Sequence, residues 1–229
     1  MSQKIKTYHL PQTPLIPNSP HPLLHYPGAL NSTTPPTAAT AHALFARNGW
    51  QTQWIYRYGP TQRSHYHSTT HECMAVLSGS AVIRFGVADT TDDLGESTHG
   101  AGREAGGVEL RAGAGDVFVI PAGVSHKTFD ARPVGEFELL TPGDGHHVDA
   151  GDGGHVAGGD VEEALRRTEL SGFTMIGAYP EGGVWDFAKG GEHVGEFEPV
   201  GGVPMPDSDP VMGRGMEGLL GIWKEQSVL

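Results

Sequence analysis

Residues 73–86, CMAVLSGSAVIRFG, set two apolar runs on either side of Ser78, Gly79 and Ser80. Runs this short, broken by a glycine turn, predict two strands of a hairpin. The same grammar returns in VELRAGAGDVFVIPAGVSH (108–126), which predicts a strand, a turn and a further β-run. QTQWIYRYGP (51–60) alternates aromatic and polar residues as a strand does, and FTMIGAYP (173–180) is another β-run. The punctuation is supplied by 34 glycines and 17 prolines, which suit many short strands and exclude a helical bundle. No repeat of fixed period occurs, which excludes a propeller or solenoid. At 229 residues, one β domain of sandwich or barrel type with extensions accounts for the chain.

The expected organisation is a single domain over residues 1–229. An N-terminal arm and helix occupy about 1–49, a barrel core about 50–186, and a C-terminal extension about 187–229. Residues 9–36 are proline-rich with interspersed Leu15, Ile16, Leu23, Leu24 and Tyr26, so they predict an extended arm docked on the core. One helix is predicted over residues 36–47, capped by Thr33 or Thr34 and stopped at Asn48 and Gly49. Two polar, glycine-rich excursions, 87–107 and 131–168, interrupt the core. The first predicts a mobile loop, and VEEALRRTEL within the second predicts a short amphipathic helix.

Charge removes several classes of function. Asp and Glu number 27 against 15 Lys and Arg, a formal charge of -12, with no basic run to offset it. Such a surface repels phosphate backbones and anionic lipid, so neither nucleic acid nor membrane is an expected partner. The lone Cys73 excludes an intrachain disulfide framework. The early residues hold no apolar signal segment, so the expected compartment is the cytoplasm.

The chemistry concentrates in GPTQRSHYHSTTHECMAVLSG (59–79). His65 and His67 are two residues apart, so on a strand both imidazoles face the same way. Glu72 follows a short polar bend and opens the next apolar run. Far downstream, Pro121 and Gly123 make a turn that His126 follows. If that strand lies beside the first pair, three imidazoles and a carboxylate converge, a donor set suited to a divalent transition metal. Four protein ligands leave one or two positions open in a five- or six-coordinate ion, as catalysis requires. His71 and Tyr66 alternate away from the pair and are read as non-ligands. Cys73 is read as a small buried group, and His146, His147 and His155 as members of a solvated loop.

Two spacings carry a resemblance. Gly59, His65, His67, Glu72 and Gly79 stand at the intervals of the first cupin motif, and Gly115, Pro121, Gly123 and His126 at those of the second. Asp130 departs from the Asn that usually ends the second motif. The strings NGW, HYHSTTHE, GAYPEGGVWD and DPVMG further resemble the YjlB-like single-domain cupins. The resemblance implies an all-β double-stranded β-helix, a jelly-roll barrel with one N-terminal helix and Pro/Gly-rich extensions. It also implies His65, His67, Glu72 and His126 as ligands of one metal per chain. Fe or Mn is favoured, with Ni, Cu, Co or Zn able to occupy the same donors, and copies are expected to pair as a homodimer.

The expected function is metal-dependent chemistry on a small organic molecule, with a dioxygenase-type oxidation favoured. The alternatives are a redox-neutral isomerase, epimerase or decarboxylase, and a non-catalytic barrel that binds a sugar or metabolite. Met74, Val76, Ile83, Phe85, Phe118 and Ile120 are the expected barrel lining. Arg63, Trp54 and Tyr56 are weaker candidates for contact with a substrate carboxylate or ring.

Overall fold

The computed structural model describes residues 4–31, 36–149 and 159–226. In chain order the elements are β1 (Lys6–Tyr8), β2 (Leu23–Tyr26), α1 (Ala38–Arg47), β3 (Trp50–Tyr58), β4 (Glu72–Ser78) and β5 (Ser80–Phe85). Then come α2 (Leu94–His99), β6 (Val108–Gly113), β7 (Val117–Ile120), β8 (His126–Arg132) and β9 (Glu138–Leu139). The remainder is α3 (Gly159–Arg167), β10 (Phe173–Pro180), α4 (Phe197–Gly201) and α5 (Leu219–Gln226). Strands form a seven-stranded sheet in the order β1-β2-β7-β4-β10-β3-β9 and a three-stranded sheet in the order β6-β5-β8. Every pairing is antiparallel. The two sheets make a double-stranded β-helix, the jelly-roll architecture that the alternating runs predict.

The predicted hairpin is β4–β5. Gly79 holds φ +72° between them, and a Cβ there would lie 2.4 Å from the Arg132 carbonyl oxygen, so only glycine fits the turn. Along β4 the two-residue period separates two cores. Met74 and Val76 face the barrel interior with Ile83, Phe85, Phe118 and Ile120, all fully or almost fully buried. Cys73, Ala75 and Leu77 face the opposite way, into a second core with Phe45 of α1, Leu165 of α3 and Trp223 of α5. The large sheet is therefore apolar on both faces, one closed by the small sheet and the other by helices.

The proline-rich arm supplies the edge of the large sheet. β2 pairs with β7, β1 pairs with β2, and Leu23, Leu24 and Tyr26 are buried. The N-terminal helix begins later than expected. Its cap is Thr37, whose side chain accepts from the Thr40 amide while the Thr40 side chain accepts from the Thr37 amide. Thr33 and Thr34, the expected caps, lie outside the described residues. Beyond the one helix expected near the N-terminus, α2, α4 and α5 complete the described set with α3, which forms where VEEALRRTEL predicts it.

The excursion 87–107 is a packed element instead of an open loop. The Asp93 side chain caps α2, and two buried cations pin the segment to the small sheet. Lys127 Nζ donates to Asp89 Oδ1 at 3.0 Å and to Ser97 Oγ at 2.9 Å. Arg84 donates to the Ser97 and Thr98 carbonyls at 2.9 and 2.6 Å. Both cations and their partners are far apart in sequence, so local composition could only show a polar, glycine-rich stretch.

Candidate metal centre

The site is built on the small sheet. After β3 the chain runs along β8, with bridges Thr61–Phe129 and His65–His126. The His65 amide donates to the His126 carbonyl at 3.1 Å, and the His126 amide returns the bond at 2.8 Å. This reciprocal pair places two imidazoles side by side, with ring centroids 4.2 Å apart. His67, two residues on, brings its ring to the same side, 5.4 Å from each of the other two. One ligand atom from each of the three histidines lies within 4.8 Å of the others, and all three residues are buried.

Glu72, the first residue of β4, enters from the large sheet with the interior parity of Met74 and Val76. Its Oε1 is 3.4 Å from His67 Nε2, and its Oε2 is 3.4 Å from His126 Nε2. Backbone carbonyls orient two rings: His67 Nδ1 donates to the Asp186 oxygen at 2.5 Å and His65 Nδ1 to the Arg63 oxygen at 3.2 Å. A ring nitrogen that carries its proton outward leaves the other nitrogen's lone pair facing inward, as a metal ligand needs. Asp186 is itself fixed, since its carboxylate accepts from the Ser68 amide and hydroxyl at 2.7 and 2.8 Å. Tyr179 on β10 donates to Glu72 Oε1 at 2.5 Å and accepts from Trp54 Nε1 at 3.0 Å.

The fit to a cation shows in what is left over. His67 Nε2 and Glu72 Oε2 are buried without a hydrogen-bond partner, and an acceptor shut from water in this way is costly. Burial holds the His65 imidazole well below its ordinary value, reinforced by His126 and His67. Burial likewise lowers His126 to about 4, against the pull of Glu72. For His67 the burial penalty is outweighed by Glu72, which raises it. Burial would raise the Glu72 carboxyl, but the His67 and His126 rings bring it down to about 2. At neutral pH Glu72 is thus anionic and His65 and His126 are neutral, while Glu72 favours the charged form of the His67 ring. His65, His67 and His126 could hold a metal ion.

Above the imidazoles lies a cavity of about 220 Å³. Its walls come from β3 (Trp54, Tyr56 and Tyr58), from β10 (Tyr179), and from Gln62, Phe137, Trp185 and Phe187. Trp54 and Tyr56, read from the sequence as contacts, line it. Arg63 does not. Its guanidinium turns outward to the Thr91 and Asp92 carbonyls and the Asp92 carboxylate, although Arg63 shares the two-residue parity of His65 and His67. The expected lining residues Met74, Val76, Ile83, Phe85, Phe118 and Ile120 pack the barrel away from this opening, so aromatic rings form the walls.

His71 is satisfied elsewhere: Nδ1 accepts from the Ala122 amide at 3.0 Å and Nε2 donates to the Pro204 carbonyl at 3.1 Å. Tyr66 is buried beside Ile16, Ala88 and Ala188, with its hydroxyl on His193. Cys73 is buried in the helix-covered core. His146 is not merely solvated, for it stacks on Trp185 at 4.3 Å. His147 is exposed between Asp144 and Asp149, and His155 lies outside the described residues. Gln62, Tyr58, Phe137, Tyr179, Trp185 and Phe187 escaped sequence reasoning. Two of them carried a signal: Tyr179 shares the inward parity of Phe173 and Met175 on β10, and Tyr58 that of Trp54 and Tyr56 on β3.

This geometry sits in a chain that is 29% identical over 226 residues to the Bacillus subtilis (strain 168) protein named uncharacterized protein YjlB. The likeness covers 97% of this chain and 99% of that one. No family model matches the chain. Among solved structures, it is similar to the capsular polysaccharide assembling protein CapF of Staphylococcus aureus at 14% identity and a TM-score of 0.29. That likeness covers 79% of this chain and 29% of CapF, so this chain spans under a third of CapF's length. It is similar to RmlC of Streptococcus suis, solved with dTDP-D-xylose, at 10% identity and a TM-score of 0.31, covering 78% of this chain and 74% of that one. Among the described residues no helix is long and apolar enough to cross a membrane.

Proposed function

We propose that the chain is a mononuclear metalloenzyme of the cupin type. In this reading His65, His67, Glu72 and His126 hold one divalent transition metal, and the aromatic pocket receives a small organic molecule. The observation that carries it is the convergence of three buried imidazoles, within 4.8 Å of one another, on a carboxylate whose Oε2 has no hydrogen-bond partner. Nitrogen and oxygen donors without sulfur suit iron, manganese, cobalt, nickel, copper or zinc. When bound, such an ion supplies Lewis acidity and, for iron or manganese, a redox couple that can engage dioxygen.

The chain's own residues do the positioning. The Asp186 and Arg63 carbonyls fix two imidazoles, Tyr179 holds Glu72 by one oxygen, and aromatic side chains wall the remaining space. Among the described residues that line the pocket, every imidazole and carboxylate belongs to the proposed ligand set. Burial holds the Tyr58 and Tyr179 phenols well above their ordinary value, so neither is a base at neutral pH. Proton abstraction from a substrate carbon therefore lacks a free base. That favours an oxygen-dependent, dioxygenase-type oxidation, with iron or manganese as the metal, over isomerisation or epimerisation.

Metal analysis of protein purified without nickel affinity is expected to find one divalent transition metal per chain, and background levels would overturn the site. Protein loaded with Fe(II) or Mn(II) is expected to consume oxygen with members of a small-molecule panel. Turnover that persists without oxygen and with Zn(II) would move the reaction to the redox-neutral class. Tight binding without turnover would make the chain a binding protein. Copies of the chain are proposed to pair, and a monomeric mass by light scattering at micromolar concentration would refute that.

A further inference from the structure

We infer that the pocket selects a compact, flat, phosphate-free molecule: a single ring bearing a carbonyl or similar acceptor, received by the side-chain amide of Gln62. This rests on the reading of the site as a ligand-binding metal pocket and adds the class of ligand.

Size is the first constraint. The cavity of about 220 Å³ falls below the ~300–1,000 Å³ of sites that take drug-sized ligands. It corresponds to roughly seven waters at their ~30 Å³ share of liquid volume. A ring with a few substituents fits that space, whereas a nucleotide-linked sugar would leave most of its atoms outside it.

Charge is the second. No lysine or arginine lines the cavity. Arg57 is turned onto the Glu136 carbonyl, Ser171 and Glu138, and Arg63 onto Thr91 and Asp92. A phosphate entering here would meet aromatic faces and the Glu72 carboxylate, with no side-chain cation to neutralise it.

Shape is the third. Tyr56 and Phe137 stack with centroids 5.0 Å apart and planes 15° apart, and Phe187 lies over His65 at 4.1 Å and 14°. Phe137 and Phe187 nonetheless remain 56% and 48% exposed. Large rings left uncovered at a pocket mouth are apolar surface that a flat ligand would take out of water.

The polar handle is the fourth. Among the lining residues, the buried side-chain atoms without a partner are His67 Nε2, Glu72 Oε2, His126 Nδ1 and Gln62 Nε2. Three belong to the imidazole–carboxylate cluster, and Gln62 Nε2 alone lies outside it. Of the other lining donors, Trp54 is spent on Tyr179, Trp185 on the Gly145 carbonyl and Tyr179 on Glu72, while the Tyr56 and Tyr58 hydroxyls stand at the wall as further donors. Sheet pairing holds the Gln62 backbone, whose amide donates to the Thr128 carbonyl at 3.2 Å. The backbone is thus fixed, while the side-chain Nε2 is buried and unpaired. An acceptor oxygen on the ligand would remove that cost, and a ligand lacking one would leave it in place.

The test is calorimetric titration of the full-length protein, as purified and after chelation of its metal. The probes are 4-hydroxybenzaldehyde, p-cresol and ribose 5-phosphate. In both forms the aldehyde is expected to bind about fivefold or more tightly than p-cresol, which has the ring without the carbonyl. The chelated protein is expected to show no heat with ribose 5-phosphate. Gln62→Leu and Gln62→Glu should each abolish the aldehyde-over-cresol preference while leaving metal content unchanged. Ribose 5-phosphate binding the chelated protein as tightly as the aldehyde would overturn the inference. So would an absent preference, or one that survives both substitutions. A metal-free protein with a Gln62-dependent preference would sink the metal reading alone, and a metal-loaded protein without that preference would sink this inference alone.

Discussion

Glu72 and Asp209 are both carboxylates sealed from solvent, at 1% and 0% exposure, and they are used in opposite ways. Asp209 is saturated. Its Oδ1 accepts from the Val211 and Met212 amides at 2.7 and 2.8 Å, and its Oδ2 from the Leu219 amide at 2.7 Å and from the Tyr26 hydroxyl. Four donors from three segments make it a knot between β2, the turn after it in space, and the start of α5. Glu72 accepts one hydrogen bond, from Tyr179, and otherwise faces imidazole nitrogens at 3.4 Å with one oxygen unpartnered. A buried charge whose lone pairs are all filled by the chain holds structure together. A buried charge left partly unfilled, among imidazoles, keeps capacity for something the chain does not contain.

The sharpest way to break this contrast is to remove each carboxylate. Asp209→Ala strands three amides and a phenol, so it is expected to lower stability by about 3–5 kcal/mol, read by urea denaturation. Glu72→Gln keeps an acceptor for Tyr179, so the metal-free protein should lose less stability than with Asp209→Ala, while metal content drops at least about tenfold. His65→Ala and His126→Ala should follow Glu72→Gln in metal analysis. His146→Ala, at the pocket rim, should leave metal content unchanged, and equal loss in all three would mean the ligands are misassigned.

A smaller effect sharpens the comparison from the wall side. A Cβ on Gly177 would lie 2.1 Å from Trp54 Cε2, so Gly177→Ala must push the indole off β10. The expected cost is about 1–3 kcal/mol, with a shift in tryptophan emission. The smallest effect concerns a third carboxylate. Burial would raise the Asp116 carboxyl, but His25 and the Gly28 and Gly113 amides hold it below its ordinary value. A depressed folded pKa stabilises above the unfolded value of about 4, and that stabilisation fades as pH falls through the folded one. Asp116→Asn should therefore cost up to about 1 kcal/mol at neutral pH and converge with the native protein in strong acid.

How much of this was legible in the sequence depended on whether a signal was periodic. The hairpin at Gly79, the inward set from Met74 to Ile120 and the shared face of His65 and His67 follow from two-residue alternation and turn residues, while bringing Glu72 and His126 to that face rested on the resemblance to cupin motifs. Simple two-residue alternation breaks at β3. Its register against β10 shifts between Gly177 and Ala178, which pair with Trp54 and Thr52. Trp50 and Trp54, equally spaced for one face, therefore end in different cores. The pocket walls from Phe137, Trp185 and Phe187 belong to irregular segments, whose orientation is set by contacts made only after folding. Arg63 failed for a related reason: the partners that turn it outward, Thr91 and Asp92, lie in an excursion whose packing depends on Lys127 and Arg84 from other strands. Asp209, within DPVMG, stood out in the sequence only as part of a resemblance, since its donors are spread from Tyr26 to Leu219.

The knot at Asp209 has a consequence for how the molecule comes apart. Trp223 Nε1 donates to the Pro22 carbonyl at 3.0 Å, close to where Tyr26 meets Asp209. The proline-rich arm and the segment from Asp209 to α5 therefore fasten to each other, and noncovalent clasps close the stretch of chain between them into a ring. A protease that nicks the tail before α5 would release the edge strand β2 as well, and with it the neighbour of β7. Trimming either end for expression would thus be felt at both, whereas new termini opened in a surface turn, with the old ends joined, would leave the ring whole.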